Sequence, residues 1–350
     1  MVVRVGVIGT GFGASVQIPG FQLCDGATVV AVASGRLERA REVAAHFGIP
    51  HAFDDYRQML SDVPLDLVSV VTPPYLHAEM VLAAVERGLH VICEKPFALD
   101  LAEAQAMLAA AERRGVVHAL DHEFRYLPAR ARFQELVAAG DVGEPRVVRA
   151  AELTTFRADP QRPWNWWSDA ARGGGMLGAI GSHYFDTLRW CFGEIVRLGA
   201  QLQTFIAERP LPDDSGRRAV TADDTVAAFF QFASGAQGTL QLSAVARHPL
   251  RRIEVYGSAG SLILEHDERL LGGPAGEPLA ELEVPERLRP KKTGPAPLVA
   301  PFVVLAERVL ARIRGEPGPD FPTFHEGVAV QALLDATRRS SAEGRVVALG

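Results

Sequence analysis

Apolar positions in the first 120 residues fall into short runs rich in β-branched residues, separated by stretches with helical spacing. VVRVGVIG (Val2–Gly9), TVVAVAS (Thr28–Ser34), LDLVSVVT (Leu65–Thr72), HVICE (His90–Glu94) and VVHAL (Val116–Leu120) read as strands. Between them, RLERAREVAAHFG and LHAEMVLAAVERG read as helices, each closing on the glycine that commonly ends one. Strands that are apolar on both faces and alternate with helices predict a doubly wound parallel sheet.

The rhythm changes near Asp121. A helix over PARARFQELVAAG leads to the strand pattern EPRVVRAAEL, then to a tryptophan- and glycine-rich stretch ending at Gly181. A further helix, HYFDTLRWCFG, precedes long alternating runs: VRLGAQLQTFIA, DTVAAFFQFA, AQGTLQLSAVA and RRIEVYGSAGSLILEH. Alternation of this kind predicts a large, mostly antiparallel open sheet with one face covered. Proline-rich Leu279 to Pro301 reads as a surface crossing, and HEGVAVQALLDATRRSSAEG as a closing helix.

Bulk composition narrows the function classes. With 350 residues the chain has room for two cores, and 48% apolar with 22% charged residues is ordinary for a globular protein. A net charge of −6 offers no basic surplus for nucleic acid, so that partner is not expected. Cys24, Cys93 and Cys191 follow no metal spacing and read as buried thiols in a reducing compartment. The N-terminus runs straight into a strand pattern without the apolar core of a secretory leader. No run reaches the roughly 18 apolar residues of a membrane helix. The expectation is a soluble cytoplasmic protein with no metal and no membrane partner.

Chemistry enters at VIGTGFGA. Gly9, Gly11 and Ala14 form G-x-G-x-x-A between the first strand and the first helix, where backbone can approach a pyrophosphate. Gly9, Gly11, Phe12 and Gly13 are therefore expected to contact a dinucleotide. The second strand ends in ASGRLERA, with no acid to accept from the 2′-hydroxyl of NAD. Ser34, Arg36 and Arg39 suit a 2′-phosphate instead, so NADP is expected ahead of NAD. Against this, Glu38 lies between the arginines, which would also fit a solvated helix face. These readings divide the chain into a dinucleotide-binding Rossmann domain, residues 1–121, and an α+β domain for substrate binding and oligomerisation, residues 122–350.

The stretch VICEKPFALD carries one of just three lysines, Lys95, Lys291 and Lys292, among 36 basic residues. Lysine offers a compact ammonium with three rotatable donors and a pKa that responds to burial, none of which guanidinium provides. With TPPYLHAEMVLAAVERGLHVICEKPFALDLAEAQAML and RGGGMLGAIGSHYFDTLRW, the chain resembles the glucose–fructose oxidoreductase, inositol dehydrogenase and rhizopine-catabolism family (Gfo/Idh/MocA) over nearly its whole length.

That resemblance implies hydride transfer between a nicotinamide dinucleotide and a sugar, cyclitol or keto-sugar. It implies that Lys95 hydrogen-bonds the reacting oxygen and touches the nicotinamide ribose, and that His183 exchanges the proton. Glu94 is drawn into the cofactor site with Lys95, and Thr72, Pro73 and His77 match positions lining the cofactor crevice. His77 would equally fit a surface histidine at a helix start. Arg125, Trp166 and Asp186 are candidates for the substrate pocket. Where most members carry an aspartate four residues before the histidine, this chain has Ala179. Asp186, three residues after His183, either substitutes for it or is a surface charge. A tryptophan–arginine pair of some NADP-dependent members reads Trp166–Trp167 here. A homodimer or homotetramer joined through the open sheet face is also implied. Two other functions stay in view: an NAD-dependent glycosidase of the same fold, and a dinucleotide-binding sensor without turnover.

Overall fold

The computed structural model describes residues 1–349, which divide into two compact units. The first contains residues 1–126 and 290–329; the second contains 127–289 and the C-terminal residues from 330. The expected cut at 121/122 is thus displaced to 126/127, and a later segment returns to the first unit.

Six strands form the first unit's sheet: β1 (Val3–Ile8), β2 (Ala27–Ala33), β3 (His51–Phe53), β4 (Leu67–Val70), β5 (His90–Cys93) and β6 (His118–Leu120). All are parallel, in the order β3-β2-β1-β4-β5-β6. The strand order reverses between β1 and β4, and the carboxyl ends there form the crevice in which such sheets bind ligands. Helices α1 (Ile18–Leu23), α2 (Leu37–Phe47), α3 (Tyr56–Asp62), α4 (His77–Glu86) and α5 (Leu101–Arg114) make the crossovers. Gly48 and Gly115 close α2 and α5 at φ +68° and +63°, and the Asp100 carboxylate caps α5 by accepting from the Glu103 N–H at 2.9 Å.

The returning segment carries a helix, Val299–Ile313, most of which lies in the stretch after Pro301 that the pattern reading left unassigned. Pro301 lies in its first turn, where a missing N–H leaves no hydrogen bond unmade. Phe302, Leu305, Ala306, Val309 and Leu310 are buried and form one stripe. Phe302 meets Phe21 of α1 edge-on with centroids 5.1 Å apart. That packing assigns the segment to the first unit.

In the second unit, α6 (Pro128–Ala139), β7 (Pro145–Leu153) and α7 (Ser182–Phe192) precede a run of strands: β8 (Ile195–Gln203), β9 (Glu208–Pro210), β10 (Arg217–Ala219), β11 (Thr225–Phe232), β12 (Gln237–Ser243), β13 (Leu250–Gly257), β14 (Gly260–Glu265), β15 (Arg269–Pro274), β16 (Ala280–Glu281) and β17 (Val347–Ala348). Nine of them form one sheet in the order β16-β15-β14-β13-β7-β12-β11-β8-β17, while β9 and β10 pair separately. Every neighbouring pair is antiparallel except β7 and β12. Tyr256 opposite Ser261 makes YGSAGS a hairpin turn, as its pattern suggests.

Alternation divides the sheet's faces. Val226, Ala228, Phe230 and Phe232 of β11 enter a core shared with Tyr184, Phe185 and Leu188 of α7, whereas Ala227 and Phe229 point outward. Phe229 is 57% exposed. Among the described residues no helix is long and apolar enough to cross a membrane. Cys24 and Cys93 are buried, Cys191 is half-buried, and no disulfide joins them.

Candidate active site

The glycine turn leaves β1 at the switch point. Gly9 has φ +116°, and a Cβ there would lie 2.1 Å from the Val71 carbonyl oxygen, so no larger residue fits between β1 and β4. At Gly11 the space is open: a Cβ would meet nothing within 4 Å. An uncluttered backbone followed by the helical turn Gly13–Gln17 and α1 is what a pyrophosphate needs, since free N–H groups at a helix start attract anions. These residues fit a dinucleotide. Phe12 is half-buried at the head of the turn, and Gly13 packs on Val7 and Val71.

Thr10 Oγ1 donates to Ser34 Oγ at 3.2 Å, tying the turn to the end of β2. Arg36 is exposed at the N-cap of α2. Arg39 pairs along the helix with Glu42 at 3.1 Å, rather than with Glu38. A groove of about 420 Å³ lies beside the turn, lined by Gly11, Ala14, Ser15, Arg39 and Glu42 among others.

Thr72 and Pro73 follow β4 and are half-buried at the crevice. His77 is different, for it is wholly buried. Its Nε2 lies 2.8 Å from the Thr72 carbonyl oxygen, and its Nδ1 lies 3.0 Å from that of Pro96 and 3.3 Å from that of Phe97. Burial lowers its pKa, against the pull of those carbonyls. Its burial rules out the surface-histidine reading, and its carbonyl contacts give it a structural part beside the crevice. It is a brace between the Thr72 turn and the Lys95 loop.

Lys95 follows β5 and is half-buried; its peptide bond to Pro96 is cis. Its backbone N–H donates to Glu94 Oε2 at 3.2 Å. Glu94 is buried, and burial raises its pKa, opposed first by the Lys95 charge. Two further buried carboxyls, Asp121 and Glu123, stand on the strand end and loop after β6. Burial, with Glu94 adding, pushes Glu123 up to about 8. Arg125 is half-buried in the short turn Glu123–Tyr126. Sequence reasoning missed Gln17, Ser69 and Asp121 of this cluster; the available signal was a glutamine inside an otherwise apolar helix start, SVQIPGF.

In the second unit, His183 occupies the first turn of α7 and is 1% exposed. One loose turn, Leu177–Gly181, feeds into α7 and contains Ala179. Asp223 holds this turn: its carboxylate accepts from the Leu177 N–H at 2.7 Å and its carbonyl from the Met176 N–H at 2.9 Å. Burial raises the Asp223 carboxyl to about 6. Gly175 permits the approach, with φ +112° and a Cβ position 2.4 Å from Asp223 Oδ1. Asp186 is also 1% exposed, which rules out a surface charge and puts it on the His183 side of α7. Trp166 is half-buried, while the neighbouring Trp167 stacks under Arg157, 4.5 Å from ring centroid to guanidinium carbon. Among the described residues no group of three or more His, Cys, Asp or Glu side chains could hold a metal ion.

A glycine turn at the reversal of a sheet with this strand order defines a dinucleotide-binding α/β protein, here joined to a second α+β unit. Residues 3–122 match the oxidoreductase family with an NAD-binding Rossmann fold, and residues 131–263 match the GFO/IDH/MocA C-terminal domain. The chain belongs to the Gfo/Idh/MocA family of NAD-binding oxidoreductases. It is 35% identical to an uncharacterized oxidoreductase of Synechocystis, over 99% of this chain and 95% of that one. It is 32% identical to levoglucosan dehydrogenase of Pseudarthrobacter phenanthrenivorans, over 68% of this chain and 65% of that one. A solved levoglucosan dehydrogenase in complex with NADH and levoglucosan superimposes with a TM-score of 0.90 at 27% identity, covering 99% of each chain.

Proposed function

We propose that the chain transfers hydride between a nicotinamide dinucleotide and an oxygen-bearing carbon of a sugar, cyclitol or keto-sugar. The observation that carries this reading is Lys95, a half-buried lysine at the carboxyl end of β5 in a dinucleotide-binding sheet. Relatives named levoglucosan dehydrogenase, myo-inositol 2-dehydrogenase and 1,5-anhydro-D-fructose reductase support the substrate class. The bound nicotinamide supplies a hydride acceptor or donor. In oxidation, negative charge grows on the substrate oxygen as its proton leaves and dissipates as the carbon gives up hydride, and the Lys95 ammonium donates a hydrogen bond to that oxygen while it carries the charge. His183 takes the hydroxyl proton as general base, or returns it in reduction. Arg125, Trp166 and Asp186 contact the substrate, and Asp186 takes the part of the carboxylate that Ala179 lacks.

Gly9, Gly11, Phe12 and Gly13 hold the pyrophosphate, while Thr72, Pro73 and Glu94 border the nicotinamide half. Ser34, Arg36 and Arg39 receive the adenosine end, and the lack of an acid at the end of β2 favours NADP over NAD. Two or four copies associate through the outer sheet face around Phe229 and Val147, which are 57% and 44% exposed.

A panel of sugars, inositols and keto-sugars, followed at the nicotinamide absorbance with NADP and with NAD, tests the reading. Net reduction or oxidation, faster with NADP, is the expected result. Tighter binding of NAD overturns the cofactor preference. Hydrolysis without net nicotinamide change points to a glycosidase, and dinucleotide binding with no turnover of any kind points to a sensor.

A further inference from the structure

Beneath Lys95, within the first unit, lies a buried cluster that no sequence motif announces. Gln17 ends the helical turn after the glycines and is fully enclosed. Its amide nitrogen donates to Glu94 Oε1 and to Asp121 Oδ2, each at 2.8 Å. Its amide oxygen accepts from Ser69 Oγ in β4. Glu94 in turn accepts the Lys95 N–H at 3.2 Å. One amide and one carboxylate thus connect the glycine turn to the Lys95 backbone.

Charge is the difficulty in this arrangement. Both N–H bonds of the amide are used. Asp121 Oδ1 is buried and meets no N–H or O–H donor. The Glu94 carboxyl is a hydrogen-bonding neighbour of Asp121. Two carboxylates in such contact cannot both ionise out of reach of water, because each opposes the other's charge. A proton on Asp121 converts the repulsion into a short charge-assisted bond. Glu94 is the better seat for the remaining charge, since Lys95 is the first group opposing its rise, whereas at Asp121 Glu123 and Glu94 both add to it. Other titratable neighbours are Glu123, on the loop after β6, and Cys93, whose thiol burial pushes far up.

We infer that Glu94 and Asp121 share one proton carried by Asp121, and that Gln17 clasps this pair to the glycine turn, making the three positioning residues for Lys95. The inference rests on the proposed role of Lys95 at the reacting oxygen. It ties dinucleotide grip and lysine placement to one network.

Paired carboxamide substitutions test it. Asp121→Asn reproduces the protonated acid, with a carbonyl for Gln17 and an NH₂ for Glu94. It should lower turnover and NADPH or NADH affinity, read by nucleotide fluorescence, clearly less than Glu94→Gln does. Glu94→Gln removes the charge that Lys95 faces and should lower kcat about tenfold or more with KM little changed, as a displaced donor does. Gln17→Leu should weaken dinucleotide binding about tenfold, since both carboxyls lose their common donor. Equal damage from the two carboxamides, or greater damage from Asp121→Asn, overturns the shared proton. Unchanged affinity in Gln17→Leu overturns the clasp. Should Glu94→Gln fail to fold, melting of the ligand-free protein decides: Asp121→Asn near wild type with Asp121→Leu well below supports the pair, and equal losses refute it. Wild-type protein that binds nucleotide but turns over no substrate would defeat the catalytic reading, while the melting and affinity comparisons still judge the network.

Discussion

Asp267→Ala should destabilise the second unit by more than any surface substitution, and the reason can be followed bond by bond. Asp267 sits in the turn between β14 and β15 at φ +59°. Its Oδ1 accepts from Arg130 Nε at 2.9 Å, and its Oδ2 from Arg251 Nη1 at 3.1 Å. Arg130 also donates to Thr187 Oγ1 at 2.9 Å, one turn beyond His183 on α7, and Arg251 donates to Glu152 at 2.8 Å. The Arg130 and Asp267 side chains are 0% and 5% exposed. Exposed ion pairs contribute about 0–1 kcal/mol, but taking one partner from a buried pair leaves a charge in low dielectric and costs about 3–5 kcal/mol. At about 2–4 °C per kcal/mol for a body of 150–250 residues, melting should fall by about 6–20 °C. Alanine also bears the left-handed backbone poorly, so Asp267→Asn, which tolerates positive φ and keeps an acceptor, should lose less. Raising salt to about 1 M should not close the gap, because buried pairs are weakly screened. Melting and urea midpoints measure both variants. A fall of less than about 2 °C for Asp267→Ala, or a difference that vanishes in salt, would refute this account of the network.

Glu123 predicts an alkaline decline in stability. Its folded pKa, about 8, lies above its unfolded value, so its contribution is full below the unfolded pKa and is lost as pH rises through about 8. Glu123→Gln should flatten that decline in urea midpoints measured from pH 6 to 9; an unchanged profile would mean another group is responsible. Phe229→Asp, placing a charge on the outer sheet face, should give monomers by light scattering at micromolar concentration, and an unchanged mass would remove that face as the interface. Restoring the aspartate with Ala179→Asp should leave turnover unchanged or lower it if Asp186 already serves the pocket, whereas a clear gain would mark Ala179 as a lost catalytic feature.

The alternation of apolar strands and helices in residues 1–120 was enough to read the parallel sheet, because strands buried on both faces have little freedom of pattern. β3 is half exposed and three residues long, His51–Phe53, and left no signal of that kind. The helix Val299–Ile313 was hidden by Pro301 and the prolines before it, although its stripe is regular. β17 pairs two residues with β8 from the far end of the chain, a contact that local pattern does not encode. In the site, Gly9 was legible because the turn demands that residue type, whereas the part expected of Lys95 came from the family resemblance and not from local pattern. The burial of His77 and Asp186 was not legible, since a histidine or aspartate at a helix start reads alike whether wet or dry. Gln17, Glu94 and Asp121 meet across 104 residues of sequence, so only the fold reveals their cluster.

Lys95 and His183 carry the central claim, and replacing each in turn tests it most directly. The assay uses whichever sugar, cyclitol or keto-sugar the wild-type protein turns over, with nucleotide binding measured separately by fluorescence. Lys95→Ala should lower kcat by about a hundredfold or more, the usual consequence of losing a preorganised donor at a developing oxyanion, with dinucleotide affinity largely kept. His183→Ala should cost about a hundredfold or more as well, within the range of a general acid–base group. Turnover that survives both substitutions in protein that still binds its dinucleotide would contradict the mechanism, whatever the family and the fold.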